Sequence, residues 1–172
     1  MPILPKERDP RLITIRRGGT LTDQHHQLLA QWAVVCAEHV LPLFERAQPD
    51  DPRPREALGV AHAWIRREVP MTVAHNTAFI ANAAARGLPG AAKFAALSAG
   101  QAVAVAHVAA HALGAAAYAI RATMAEAPAD GAEQARLQER DWQRDRIPAE
   151  LRDLVLDDQS RRSAICWHVF DD

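Results

Sequence analysis

Apolar residues recur at helical spacing along most of this chain. Leu29, Trp32, Ala33, Cys36, Val40, Leu43 and Phe44 trace a single face of a helix. Thr20, with Asp23 three residues on, or Thr22 supplies the cap that would start it. Pro42 falls inside this periodic run and predicts a kink or break near Glu38. Pro49-Asp50-Asp51-Pro52-Arg53-Pro54 reads as a loop and helix entry, with Asp51 as N-cap and Pro52 at the first helical position. That second helix is expected to reach Glu68 and to bury Leu58, Ala61, Ile65 and one side of Trp64. A third starts near Thr72 and stops at Gly87, where glycine can take the left-handed conformation.

The next segment dominates the pattern. Phe94 to Ile120 carries no charge, lies between Lys93 and Arg121, and is mostly alanine. It predicts one long central helix, with Ser98–Gly100 as its point of interruption. At about 1.5 Å of rise per residue it could cross a bilayer or run through a protein core. Its bulky apolar residues are few (Phe94, Leu97, Val103, Val105, Val108, Leu113 and Ile120), and alanine adds little insertion energy, so the core reading is favoured. Small residues at 106, 109, 110, 114 and 117 predict close approach of neighbouring helices.

Residues 126–132 read as a polar linker, followed by a charged helix from Glu133 to Arg146 anchored by Leu137 and Trp142. Pro148 opens a last helical piece through Leu154 and Leu156. The tail Ile165–Phe170 is apolar enough to dock back. No strand-rich stretch and no fixed-period repeat is present. The expected fold is all-α: a single-domain bundle of about five to seven helices around the alanine-rich central helix. Residues 1–21 form an arm, 22–126 the core, and 127–172 a helical extension packed on it.

Composition narrows the function classes. The net charge of −1 removes the electrostatic footprint of a nucleic-acid binder. A mean hydropathy of −0.19 with 24% charged residues argues against membrane insertion. The first ten residues are charged and proline-punctuated, with no apolar signal-peptide core, so a cytoplasmic location is expected. Cys36 and Cys166 have no CxxC partner and are expected as buried, reduced thiols.

The chemistry-bearing residues are sparse. His107 and His111, four apart, would share one helix face and could supply two metal ligands. The position after the first histidine is Val108 rather than the glutamate of zinc peptidases, so that hydrolytic version is absent. A metal site would need more ligands from other helices, with His39 foremost and His62, His75, Glu38 and Glu68 also available. The alternative is a pair of neutral, buried imidazoles hydrogen-bonded to backbone, Tyr118 or Gln101. There is no Gly-x-Ser-x-Gly elbow, phosphate loop or GxGxxG turn, and no cofactor is expected. Arg53, Arg55 and Arg67 with Trp64 give the second helix an arginine–aromatic surface of the kind favoured at protein interfaces. A solvated charged face with one core tryptophan explains the same residues.

Several separated motifs between Arg16 and Arg121 carry a resemblance. They are Arg17-Gly18-Gly19; Trp32-Ala33-x-x-Cys36-Ala37-Glu38-His39-Val40-Leu41; Asp51-x-Arg53-Pro54-Arg55 with Ala63-Trp64; and Gly100-Gln101-Ala102-Val103 through His107, His111 and Gly114-Ala115-Ala116-Ala117-Tyr118. This order resembles the immunity five-like proteins of bacterial polymorphic toxin systems. The resemblance implies an all-helical, non-catalytic protein that binds and neutralises a cognate toxin, and it assigns no catalytic residue. The alternatives are a small helical metal-binding protein or enzyme using His107 and His111, or a self-associating scaffold such as a homodimer.

Overall fold

The computed structural model describes residues 3–172; Met1 and Pro2 lie outside the described residues. Among the described residues seven α-helices follow one another: α1 (Asp23–Ala47), α2 (Arg53–Ile65), α3 (Met71–Ala84), α4 (Gly90–Ala104), α5 (His111–Glu126), α6 (Ala132–Arg144) and α7 (Arg152–Arg162). Short 3-10 turns occupy the N-terminal arm, the entry to α7 and the tail. Among the described residues there is no strand, and the arm's alternating Leu12–Ile15 segment makes only one isolated bridge, Thr14 to Leu21. The protein is all-α, as the periodicity requires.

Thr22 caps α1, its Oγ1 accepting the His25 N–H at 3.1 Å. Pro42 does not break α1, which runs without interruption to Ala47. The amide that proline lacks would have bonded the Glu38 carbonyl, and both residues are exposed, so water can take that carbonyl. At α2 the cap falls one residue later than expected. Pro52 holds the cap position and Asp51 Oδ1 accepts the Arg53 N–H from outside at 3.1 Å. Gly87 does end the third helical segment, with φ +75°.

The alanine-rich run is two helices, not one. It stays helical through Ser98–Gly100 and breaks instead at residues 105–110. The two halves fold into an antiparallel hairpin: Ser98 Oγ donates to the Ala115 carbonyl at 2.8 Å, and Gln101 lies against both Gly114 and His111. At 15 and 16 residues, neither half is long enough to span a bilayer. α1 is the one described helix with the length and hydropathy to do so, and more than half of its most apolar window is buried inside the bundle.

α1 packs on both helices of the hairpin, with α3 against α4 and α6 against α5. Val34, Val40, Phe44, Val103, Leu113 and Ile120 fill the centre with 2% exposure or less. Absent side chains set how closely α4 meets α3 and α5 meets α4. A Cβ on Gly100 would sit 2.1 Å from Asn82 Oδ1, and one on Gly114 would sit 2.5 Å from Gln101 Oε1. Of the small positions expected to close interfaces, 114 and 117 lie in α5, whereas 106, 109 and 110 fall in the break.

α6 reverses an expectation. Leu137 and Trp142 are only half-buried, and the fully buried face is Arg136, Glu139, Arg140 and Gln143. Most of those groups are matched, Gln143 Oε1 being buried without a partner. Gln143 Nε2 donates to Glu139 Oε1 at 2.9 Å and to the Ala116 carbonyl at 3.2 Å, while Trp32 Nε1 donates to the Gln143 carbonyl at 3.0 Å. Arg136 donates to the carbonyls of Val169 and Asp171 at 3.0 and 2.6 Å, Arg140 to that of Asp171, and Arg144 to that of Phe170 at 2.8 Å. This row of guanidinium groups holds the tail, whose Cys166, Val169 and Phe170 are buried as its apolar sequence predicts. Backbone hydrogen bonding explains the polar face, since residues 169–171 lie beyond the tail's short 3-10 turn, in no helix or sheet that would satisfy their carbonyls.

Candidate functional site

Alanine is the best helix former, so the break at 105–110 is held by partners from elsewhere in the chain. Leaving the helix orphans backbone carbonyls, and three distant side chains take them. His26 of α1 meets the Val105 carbonyl at 2.6 Å. Arg17 of the arm donates to the His107 carbonyl at 3.2 Å, and Arg162 of α7 donates to the Ala110 carbonyl at 2.9 Å. A carbonyl can only accept, so His26 carries its proton on Nε2. Burial pushes the His26 pKa down, consistent with a neutral ring.

Beside the break lies a cleft of about 490 Å³. The arm, the first turn of α1, the ends of α2 and α7, and residues 106–110 wall it. Leu12, Val108, Met71 and Trp64 give it an apolar side, with Trp64 packed edge-on to His26 at 4.9 Å. Arg8, Arg16, Arg17 and Arg161 are exposed at its mouth, and Arg162 is buried with Asp158 at its base. The Arg162–Asp158 pair is bidentate, at 2.7 and 2.5 Å. Burial pushes Asp158 up against the pull of that guanidinium. Asp9 is bonded by both Arg11 and Arg161, and Arg11 first of all holds its carboxyl down at about 2. These bonds fasten the arm to α7.

The two motif histidines do not share a helical face. His107 lies in the break and His111 opens α5. His111 donates from Nδ1 to Gln101 Oε1 at 2.7 Å, the amide partner anticipated from the sequence. Burial, with smaller contributions from the charges of His107, Arg162 and Arg8, holds its pKa at about 4. His107 packs against His75 at 4.2 Å between ring centres, and its Nδ1 is buried without a hydrogen-bond partner. Burial first, then His75, Arg17 and Arg8, lowers its pKa too.

His39 is elsewhere. It pairs with Glu139 at 2.9 Å and stacks on Trp142 at 3.7 Å, with the Arg146 guanidinium over the far side of that indole. Among the described residues, no three His, Cys, Asp or Glu side chains gather in metal-holding geometry. His107, His111 and His39 therefore do not converge, and the metal-site alternative has no geometric support. The thiols are also unsuited to nucleophilic work: burial raises Cys36 well above its ordinary value and pushes Cys166 up to about 11.

The arginine–aromatic group of α2 disperses. Arg53 is bonded to Asp51 at 2.8 Å and Arg55 to Glu45 at 2.5 Å, Trp64 faces the cleft, and Arg67 sits in the turn after α2 with φ 62°. A different surface stands out. α3 contains no Asp, Glu, Lys or Arg, and its outer face leaves Val73, Phe79 and Ile80 exposed by 40%, 62% and 51%. Positions 73, 76, 80 and 83 follow helical spacing along that face. The signal was present in the sequence as an uncharged helix with apolar residues on two sides.

No curated protein and no solved structure matches this chain. The family described as Imm-5 like putative immunity protein matches residues 19–150, from the second glycine of the arm through α6, and spans both the helix break and the uncharged α3. With most of its length matched, this chain belongs to the Imm-5 like putative immunity protein family.

Proposed function

We propose that this protein neutralises a cognate toxin by stoichiometric, non-catalytic contact, and that the outer face of α3 is the centre of that contact. The single observation carrying the reading is the exposure of Val73, Phe79 and Ile80 on a helix with no charged residue. Exposed apolar groups gathered on one helix mark interaction sites on soluble proteins; Val73 and Ile80 share a face, and Phe79, about 100° round the helix from Ile80, is the aromatic anchor beside it. Arg67 before α3 and Arg86 after it are exposed and have no ion-pair partner among the described residues. They form a cationic rim that suits a partner whose apolar pocket has acidic edges. Arg53 and Arg55 lie one helix away on α2 and would extend such a footprint only by exchanging their own carboxylates for the partner's.

Co-expression with toxin candidates encoded beside this gene tests the reading. The wild type should rescue growth and co-purify with one of them, while Phe79→Asp and Ile80→Asp should lose both effects with an unchanged melting midpoint. Rescue by neither protein with any candidate would refute the toxin-binding function. Full rescue by Phe79→Asp would move the interface away from α3, and Arg53→Ala with Arg55→Ala would then test α2.

A further inference from the structure

We propose that the cleft beside the α4–α5 break is a binding site for a small amphipathic carboxylate, a ligand with one anionic head and an apolar body. Its volume of about 490 Å³ lies within the range of small-molecule sites. Leu12, Val108, Met71 and Trp64 supply the apolar wall. The charge around the mouth is not balanced by the protein itself. Arg16 is paired with Asp23, Arg11 and Arg161 share Asp9 and Asp157, and Arg162 is paired with Asp158. That leaves Arg8 and Arg17 facing a single unpaired carboxylate, Glu7. Arg17 spends one N–H on a neutral carbonyl, which leaves its charge uncompensated and its other donors available.

Two further observations agree. His107 lines the cleft and its Nδ1 is buried with no hydrogen-bond partner, so a ligand group that reaches this nitrogen meets a polar atom already desolvated and unpaired. The same two arginines, Arg8 and Arg17, contribute to keeping His107 uncharged, which reports a positive potential at the break. One excess positive charge above an apolar wall selects a monoanion with a hydrocarbon or aromatic tail over a neutral alcohol, a cation, or a fully polar anion. The carboxylate could belong to a free small molecule or to the C-terminus of a partner peptide, since both present the same head group.

Isothermal titration calorimetry of the full chain with octanoate, 1-octanol and octyltrimethylammonium tests the site. Octanoate should bind saturably, one per chain, with 1-octanol and the cation weaker by about tenfold or more. Arg8→Gln combined with Arg17→Gln should weaken octanoate about tenfold and leave 1-octanol unchanged. Should the double variant fail to fold, because Arg17 also caps the break, Arg8→Gln alone is expected to weaken octanoate about threefold. Absent saturable binding, equal affinity for octanoate and 1-octanol, or unchanged octanoate affinity in Arg8→Gln would each overturn the proposal. Acetyl-Ala-Leu-Leu compared with its amide separates the sources. Acid-dependent peptide binding tighter than octanoate assigns the site to a chain terminus, and octanoate binding without peptide binding assigns it to a free molecule. Phe79→Asp should bind octanoate normally, so loss of toxin binding and loss of this site are read separately.

Discussion

Within one alanine-rich run, the paired bodies of α4 and α5 pack with no room to spare, whereas residues 105–110 between them hold a cleft open. Composition is nearly the same in both. In the bodies, small side chains face another helix, and backbones approach until a Cβ at Gly100 or Gly114 would overlap a neighbour. In the break, the backbone turns away and its orphaned carbonyls must be met by long side chains from other elements. His26, Arg17 and Arg162 reach in to do so, and long side chains anchored at their tips leave space along their sides. Small residues close an interface only where a regular partner surface is presented to them.

Removing a cap from the break should have the largest effect. Arg162→Ala would leave the buried Asp158 carboxylate unpaired and strip the Ala110 carbonyl of its donor, at a cost of about 3–5 kcal/mol in urea unfolding. A loss under about 1 kcal/mol would mean that the break is held by packing, as the helix bodies are.

Acid should act on the break and on the α4–α5 contact at its edge, where His111 meets Gln101. The folded pKa of His111, about 4, lies below its ordinary 6.5. Its neutral form therefore supports the fold fully above pH 6.5, and this contribution is lost as pH falls from 6.5 towards 4, on the order of 3 kcal/mol in total. His26 and His107, also lowered, act in the same direction. Glu139 and Asp158 are raised and oppose it, since their protonated forms are favoured in the fold. Stability measured across this range should fall with acid, and His111→Gln should flatten the slope by about one proton. An identical slope in the variant would place the titration elsewhere.

Enlarging an alanine sharpens the contrast most directly. Ala99→Leu, in the closed body of α4, should destabilise by roughly 1–3 kcal/mol through overpacking. Ala110→Leu borders the cleft and should cost less than about 1 kcal/mol, because the added atoms have space to enter. Equal losses at the two positions would show that the cleft is closed in solution.

Much of the fold was legible because its determinants are local. The Thr22 cap, the Gly87 stop and the apolar face of α1 each depend on residues within a turn or two of one another, and the docking of the tail follows from its own short run of apolar residues. Pro42 misled because its effect depends on which way the freed carbonyl points, and burial decides that. α6 misled more deeply: Arg136, Glu139, Arg140 and Gln143 look solvated in sequence, and only a carbonyl-rich tail folded beside them makes their burial favourable. Of the candidate site, the sequence marked His107, His111 and Trp64. It could not mark what Arg17 and Arg162 hold in place, because the carbonyls of His107 and Ala110 lie 90 and 52 positions away from them.

The sequence by itself determined that this is an all-α protein of its family, where most helices start and stop, and that an uncharged run forms its centre. Only the tertiary structure decided that this run is two helices. No residue between Val105 and Ala110 opposes helix formation, so local propensity alone would continue the helix through them. The break exists because His26, Arg17 and Arg162, which are 79, 90 and 52 positions from the carbonyls they meet, satisfy the groups that a turn exposes. A free energy divided among such distant partners leaves no periodic trace in the chain.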